Sequence, residues 1–399
     1  MMKFRSWAMT AFAVALLAAC GGSDDAYIPG SGQPEGAPTT KGTFTAVVSF
    51  GDSLSDVGTY TPATSLTANG QAPYFGGKFT TNANPTSTSG TVWVENLATT
   101  LGLLVTPAQV GFAGQSVSCP AAAVPALAGT CTGYGQGGSR VTDPNGIGKA
   151  SGALTVPVKT QIANHLQRFT SFKSSDLVMV WAGNNDGFIQ FGAFAAAAAQ
   201  IQADAAAGKI SADQANLMLF QAQTAAQTAM KTAALELADY IKSQILAKGA
   251  TYVAVMYPVD PAITPFGSSV PARAKPLLTT LNDTFKLWLL EGLTGKPVKL
   301  IDLNPFVAQV VAQPGNYGFV NSTVPACDAA KISAITGGQI TDGSSLFCNS
   351  TAGAPYNGLR TGANANTWLF ADGVHPTTGG HKGFSDFIAA QLRSFGWIS

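Results

Sequence analysis

Only three histidines occur in the 399 residues, His165, His375 and His381. A reaction that needs a base near neutral pH therefore has few candidates, and the neighbours of each are informative. His375 stands in Asp372-Gly373-Val374-His375-Pro376-Thr377. A carboxylate three residues ahead of an imidazole, in a chain bent by Gly and Pro, can fold back to hold one ring nitrogen and leave the other to take a proton. Near the other end lies Phe50-Gly51-Asp52-Ser53-Leu54-Ser55-Asp56, in which Ser53 follows an apolar run at 44–50. Open α/β sheets place their sites at the carboxyl ends of strands, and the amides of a helix beginning there would point back at the serine. Gly183-Asn184-Asn185-Asp186 leaves a second apolar run, 177–181, in the same manner. A serine and an asparagine pair at the ends of buried strands, with an imidazole held as a base, are residue types from which a site could be built. Each fragment taken alone also has a plainer reading: a strand-to-helix turn at 51–54, and a helix cap at Asn184 or Asn185, Asn184 being the one taken as a cap.

These residues need elements to position them. Four short apolar runs, 44–50, 177–181, 252–257 and 298–303, contain Val or Ile and are bounded by Gly, Asn, Asp or Pro, which predicts buried parallel strands. An Ala/Gln-rich stretch over 191–247 is broken at Ala207-Gly208, and Ser211-Ala212-Asp213-Gln214 matches a capping box that restarts a helix. Strands separated by helices predict an α/β chain with helices on both faces of the sheet. Residues 60–161 and 314–368 are rich in Gly, Ser, Thr, Asn and Pro with little periodicity, so they are expected to be long loop insertions around a binding face. The segment 158–169 reads as a helix with His165 at its surface or half-buried, and His381 as a residue that packs or caps the last helix. Gly133-Tyr134-Gly135-Gln136-Gly137-Gly138 formally fits a dinucleotide fingerprint, but it follows Cys131 instead of a clear strand.

Taken together, Gly51-Asp52-Ser53-Leu54, Gly183-Asn184-Asn185-Asp186 and Asp372-Gly373-Val374-His375-Pro376 resemble blocks I, III and V of the GDSL or SGNH hydrolases, in the right order and across about residues 44–395. The best match to block II is Tyr134-Gly135-Gln136-Gly137-Gly138-Ser139, with Gly138 preferred to Gly137. The resemblance implies a three-layer α/β/α sandwich of flavodoxin-like type with a mainly parallel central sheet. It implies Ser53 as nucleophile, His375 as its base and Asp372 as the group that orients His375. The oxyanion hole would comprise the Ser53 amide, the Gly138 amide and the Asn185 side chain, with Asp56 in a supporting structural role. Hydrolysis of carboxylic esters of acyl or lipid type through an acyl-serine is the activity so implied, without metal or cofactor. Phospholipase or acyltransferase action and polysaccharide deacetylation use the same triad. A non-catalytic surface module on this scaffold would be expected to lack a triad member, and none is missing. The alternative serine-hydrolase pattern G-x-S-x-G does not occur.

Residues 1–19 read as a signal peptide, with Lys3 and Arg5 ahead of an uncharged apolar stretch too short to span a bilayer. Leu17-Ala18-Ala19-Cys20-Gly21 resembles the bacterial lipobox, which implies acylation of Cys20 and a lipoprotein of the bacterial cell envelope, held at the outer membrane facing the periplasm or the surface, or secreted. Residues 20–42 have the composition of a flexible tether, and 43–399 form the folded domain. The other four cysteines permit three pairings, of which the short loops favour Cys119 with Cys131 and Cys327 with Cys348; none has zinc-site spacing. Only 11% of residues are charged and the net charge is +1, so there is no basic field for a nucleic acid, while 46% hydrophobic residues exclude gross disorder. The expected partners are a small-molecule or lipid ester and, through the anchor, a membrane; the chain is read as a monomer.

Overall fold

The computed structural model describes residues 44–64, 76–83, 90–353 and 357–399. The leader at 1–19, Cys20 and the tether at 20–42 lie outside the described residues. Strands β1 (Ala46–Gly51), β4 (Asp176–Trp181), β5 (Tyr252–Met256) and β6 (Lys299–Ile301) form one all-parallel sheet in the order β1-β4-β5-β6. A separate antiparallel hairpin joins β2 (Gln109–Phe112) to β3 (Gln115–Ser118). Every residue of β4 and β5 is buried. Leu177, Met179 and Trp181 face one apolar layer and Val178 and Val180 the other. A strand covered on both sides has no polar face to alternate with, and so it reads in sequence as an unbroken apolar run.

On one side of the sheet pack α2 (Trp93–Thr100), α8 (Asn304–Ala312) and α10 (Thr378–Ser394). On the other lie α3 (Val158–Phe169), α5 (Ala212–Tyr240) and α7 (Lys275–Leu293). The long α4 (Asn184–Ala206) packs on α5, and α1 (Thr61–Thr64), α6 (Pro265–Ser269) and α9 (Ala329–Ile335) are short. This is the expected three-layer α/β/α architecture. The break between α4 and α5 falls at Gly208, which has φ of 68°. Ser211 Oγ then accepts from the Gln214 amide, and Gln214 Oε1 accepts from the Ser211 amide. Both arms of the capping box are thus made. Among the described residues no helix is long and apolar enough to cross a membrane.

The loop-rich regions hold more structure than their composition suggests. Within 60–161, α2 buries Trp93, Val94, Leu97 and Ala98 against α10. Eight residues between Gly, Ser and Thr flanks are too few to show a helical period. Glu95 nonetheless supplies a start signal, its carboxylate accepting from the Val92 amide at 2.8 Å. The glycine-rich run at 133–138 does follow a strand-like segment: the Ser49 amide donates to Thr132 O at 2.9 Å, and the Tyr134 amide to Ser49 O at 2.8 Å. This short parallel pairing extends the sheet beyond β1 and carries the run to the same sheet end as Ser53. Both anticipated disulfides are present, Cys119–Cys131 and Cys327–Cys348.

His165 departs from expectation. The helix is where periodicity placed it, but His165 shares its buried face with Val158, Gln161 and Ile162 and is only 2% exposed. Its ring stacks on Phe172 at 4.3 Å with Tyr134 and Phe50 edge-on, and neither ring nitrogen has a hydrogen-bond partner. Desolvation pushes its pKa down to about 4. Between that value and the ordinary 6.5, the unfolded chain binds a proton that the native state does not, so stability is lost as the pH falls through this window. Relative to His165→Leu, the native protein should lose on the order of 2 to 3 kcal/mol between pH 7.5 and pH 4. Urea unfolding of both proteins across that range measures the difference; parallel curves would refute it.

Candidate active site

At the end of β1, Gln161 of α3 grips Gly51 by both backbone groups: Oε1 accepts from the Gly51 amide at 2.9 Å and Nε2 donates to its carbonyl at 2.8 Å. The chain then turns into a single 3-10 turn, Ser53–Ser55, capped by Asp52, whose Oδ1 accepts from the Leu54 amide at 3.1 Å. Ser53 Oγ, at a residue 7% exposed, lies 2.8 Å from His375 Nε2. Asp56 accepts from the amides of Gly58, Thr59 and Gly137. It thereby ties the serine turn to the glycine-rich run, the supporting role expected of it.

Asp372 closes its own turn. Oδ1 accepts from the amides of Val374 at 3.0 Å and His375 at 2.8 Å, and the imidazole Nδ1 sits 2.8 Å from Oδ2. With Nδ1–H donating to this carboxylate, Nε2 is the ring position free to accept from Ser53. A fourth donor comes from outside the turn, the Ser345 amide at 2.9 Å from Oδ2. Burial alone would raise the Asp372 pKa, but the facing His375 and these hydrogen bonds outweigh it and hold the carboxyl well below the usual range. Ser345 is itself held by the Cys327–Cys348 loop and by Asn82, whose side-chain amide reaches the Ser345 and Cys348 carbonyls at 3.0 and 3.1 Å. The same stretch of chain lays the Phe79 ring 4.8 Å from the imidazole of His375. His381, buried in α10, accepts from the Trp93 amide and donates to Phe79 O, so it packs the helix as expected.

Two amides of residues that line one cleft, those of Ser53 and Gly138, have no acceptor among the described residues. Gly137, the other candidate in that run, has its amide taken by Asp56. Gly138 has φ of 78°, and a Cβ there would stand 1.9 Å from Ile147 O, so only glycine fits. Asn185 lies in the first turn of α4, which follows Gly183, whose own Cβ would strike the Phe285 ring at 2.6 Å. One hydrogen of its amide goes to Ser139 O at 2.8 Å; the other is free. Asn184 does not cap the helix through its side chain but donates to Val259 O at 2.7 Å, pinning α4 to the loop after β5. Asp186 accepts from Arg140 Nε and the Val141 amide, joining the helix start to the glycine-rich run.

Ser53, Gly138, Asn185, Asp372 and His375 all border one cleft of about 670 Å³. Its walls are largely apolar, with Phe79, Phe112, Ile147, Phe188, Phe191 and Phe266, and among the described residues no Lys or Arg lines it. Desolvation pushes the pKa of Asp52, at its floor, up to about 7. Three contributors escaped notice in the sequence: Gln161, Asn82 and the Ser345 amide. Of these only Gln161 left a trace, a polar residue on the apolar face of α3.

A family model described as GDSL-like lipase/acylhydrolase matches residues 47–388. No curated protein matches the chain.

Ser345→Pro tests the outer support of Asp372. Ser344 already has φ of −50° and ψ of 128°, a conformation that a following proline favours. The change removes the donor to Asp372, and a hydrogen bond to a charged group is worth about 1.5 to 3 kcal/mol. Turnover of a soluble ester should fall roughly 10- to 100-fold with fold retention checked by thermal melting. Turnover within about two-fold of the native protein would show that Ser345 does not support Asp372.

Proposed function

The chain belongs to the GDSL-like lipase/acylhydrolase family, and from this we propose that it hydrolyses neutral, apolar carboxylic esters through an acyl-Ser53 intermediate. The observation that carries the reading is the unbroken hydrogen-bond chain from Ser53 Oγ through His375 to Asp372, each link 2.8 Å, opening on an apolar cleft. Ser53 Oγ attacks the ester carbonyl as its proton passes to His375 Nε2, and the anionic Asp372 stabilises the imidazolium. The carbonyl oxygen, now negative, is received by the amides of Ser53 and Gly138 and the free hydrogen of Asn185. Collapse expels the alcohol, which takes the proton from Nε2. Water, deprotonated by the same nitrogen, then attacks the acyl carbon and releases the acid and Ser53.

What favours Gly138 over Gly137 as a donor is that the Gly137 amide is already bound to Asp56. Asp52, with a pKa near 7, is partly protonated at neutral pH, which limits negative charge beside the developing oxyanion. Among the described residues no Lys or Arg lines the cleft, which favours neutral esters over phospholipids, and its aromatic walls favour acyl chains over polysaccharides. Acylation of Cys20 would hold the enzyme at the cell envelope.

Ser53→Ala should lower hydrolysis of p-nitrophenyl butyrate by at least ~10⁴-fold, and Asn185→Ala by about 100- to 1,000-fold. Fluorophosphonate labelling should map to Ser53; equal rates in Ser53→Ala, or a label on another serine, would sink the assignment. Membrane fractions should lose the protein on Cys20→Ala while the specific activity stays unchanged, and undiminished partition would count against the anchor.

A further inference from the structure

The residues of α4 that border the cleft are Asn184, Asn185, Phe188, Phe191 and Gly192. Their spacing of three and four places them on one face of the helix. One rigid element therefore carries Asn185 at its first turn and, further out, two phenylalanines that meet Phe266 of α6 at ring separations of 5.3 and 6.4 Å. Gly192 ends this face. Glycine in a helix interior is the least favourable residue short of proline, so its presence there asks for a cause. Neither backbone nor packing supplies one: its φ is not positive, and among the described residues a Cβ built on it meets no atom of another element within 4 Å. Gly187 on the same helix faces Met230 of α5, where a Cβ would make ordinary contact at 3.6 Å, whereas Gly192 faces open space. At 192 the missing side chain leaves bare helix backbone as the wall of the cleft.

Resting on the esterase reading above, we infer that the α4 arm of the cleft is an acyl-chain subsite and that Gly192 sets its depth. His375 Nε2 must hand its proton to the departing oxygen, so the alcohol leaves on the imidazole side, where Phe79 covers the ring. The acyl chain, on the other side of the carbonyl carbon, runs outward along α4 from Asn185. The helix rises about 10 Å between Asn185 and Gly192. A zigzag chain of 1.5 Å bonds advances about 1.3 Å per bond, so an acyl chain reaches Gly192 near its eighth carbon. Shorter acyl groups end against Phe188 and Phe191; longer ones must pass Gly192.

The test compares p-nitrophenyl esters from acetate to palmitate on the native protein, Gly192→Leu and Gly192→Ala. Gly192→Leu should lower the ratio of kcat/KM for dodecanoate to that for acetate by about tenfold or more and move the optimum to shorter chains. Gly192→Ala, which adds only a methyl, should lower that ratio by less than Gly192→Leu does and raise the melting temperature. A series of acetates with lengthening alcohols should not discriminate the variants. An unchanged dodecanoate-to-acetate ratio in Gly192→Leu, or a response confined to the alcohol series, would overturn the subsite. Hydrolysis that persists in Ser53→Ala would overturn the esterase reading itself, an outcome distinct from either.

Discussion

The Asp372 carboxylate must remain an anion while almost wholly buried, and the site is built around that requirement. Asp372, Asp56 and Asp52 are three of the buried carboxylates in this corner of the molecule, and their fates follow their donors. Asp372 receives the amides of Val374, His375 and Ser345 and faces the imidazole, and its pKa is held below the usual range. Asp56 receives three amides but faces no cation, and desolvation carries its pKa up to about 6. Asp52 has one amide on Oδ1 and nothing on Oδ2, and its pKa rises to about 7. Burial pushes all three in one direction, and of the three it is reversed at Asp372, which has three amide donors and a facing imidazole. The group that can steady a positive imidazole is thus the one whose charge the surrounding backbone has already secured.

That security comes from parts of the chain far from Asp372. Its fourth donor belongs to the loop closed by Cys327–Cys348, and Asn82 stitches this loop to the stretch that lays Phe79 on the imidazole. Gln161, from a helix on the opposite side of the sheet to α10, holds the turn that presents Ser53. The long insertions therefore complete the site instead of merely rimming it. A backbone amide held by a disulfide-closed loop gives up little conformational freedom when it binds Asp372, because the closure has already restricted it.

What could be read in the sequence was whatever is local. Strand runs, the capping box at Ser211 and the Asp372 turn all involve residues within a few positions of one another, and each appeared where its pattern placed it. The short loops likewise predicted both cysteine pairs. Non-local facts left no such pattern. His165 carries a helical period that allows either face, and only the packing of Phe172, Tyr134 and Phe50 decides that an uncompensated imidazole is buried. The helix at Trp93–Thr100 is too short to declare itself before α10 packs against it. Asn184 and Asn185 look equivalent in sequence, yet one binds Val259 O while the other keeps a hydrogen free toward the cleft.

Chemistry and selection are divided along one helix. The start of α4 is fixed by β4, which is buried on both faces, and by Gly183 against Phe285, so Asn185 has little freedom to move relative to Ser53. Two turns further out the same helix meets solvent on one side and the cleft on the other, and side chains there can change without disturbing the first turn. A donor that must sit within hydrogen-bonding reach of a developing charge needs the first environment. A wall that only has to fit an apolar chain tolerates the second, since one methylene more or less changes binding by a modest factor. Placing both on one rigid element keeps the distance from the reacting carbon to the end of the cleft constant, and that constancy is what lets an apolar wall discriminate by length.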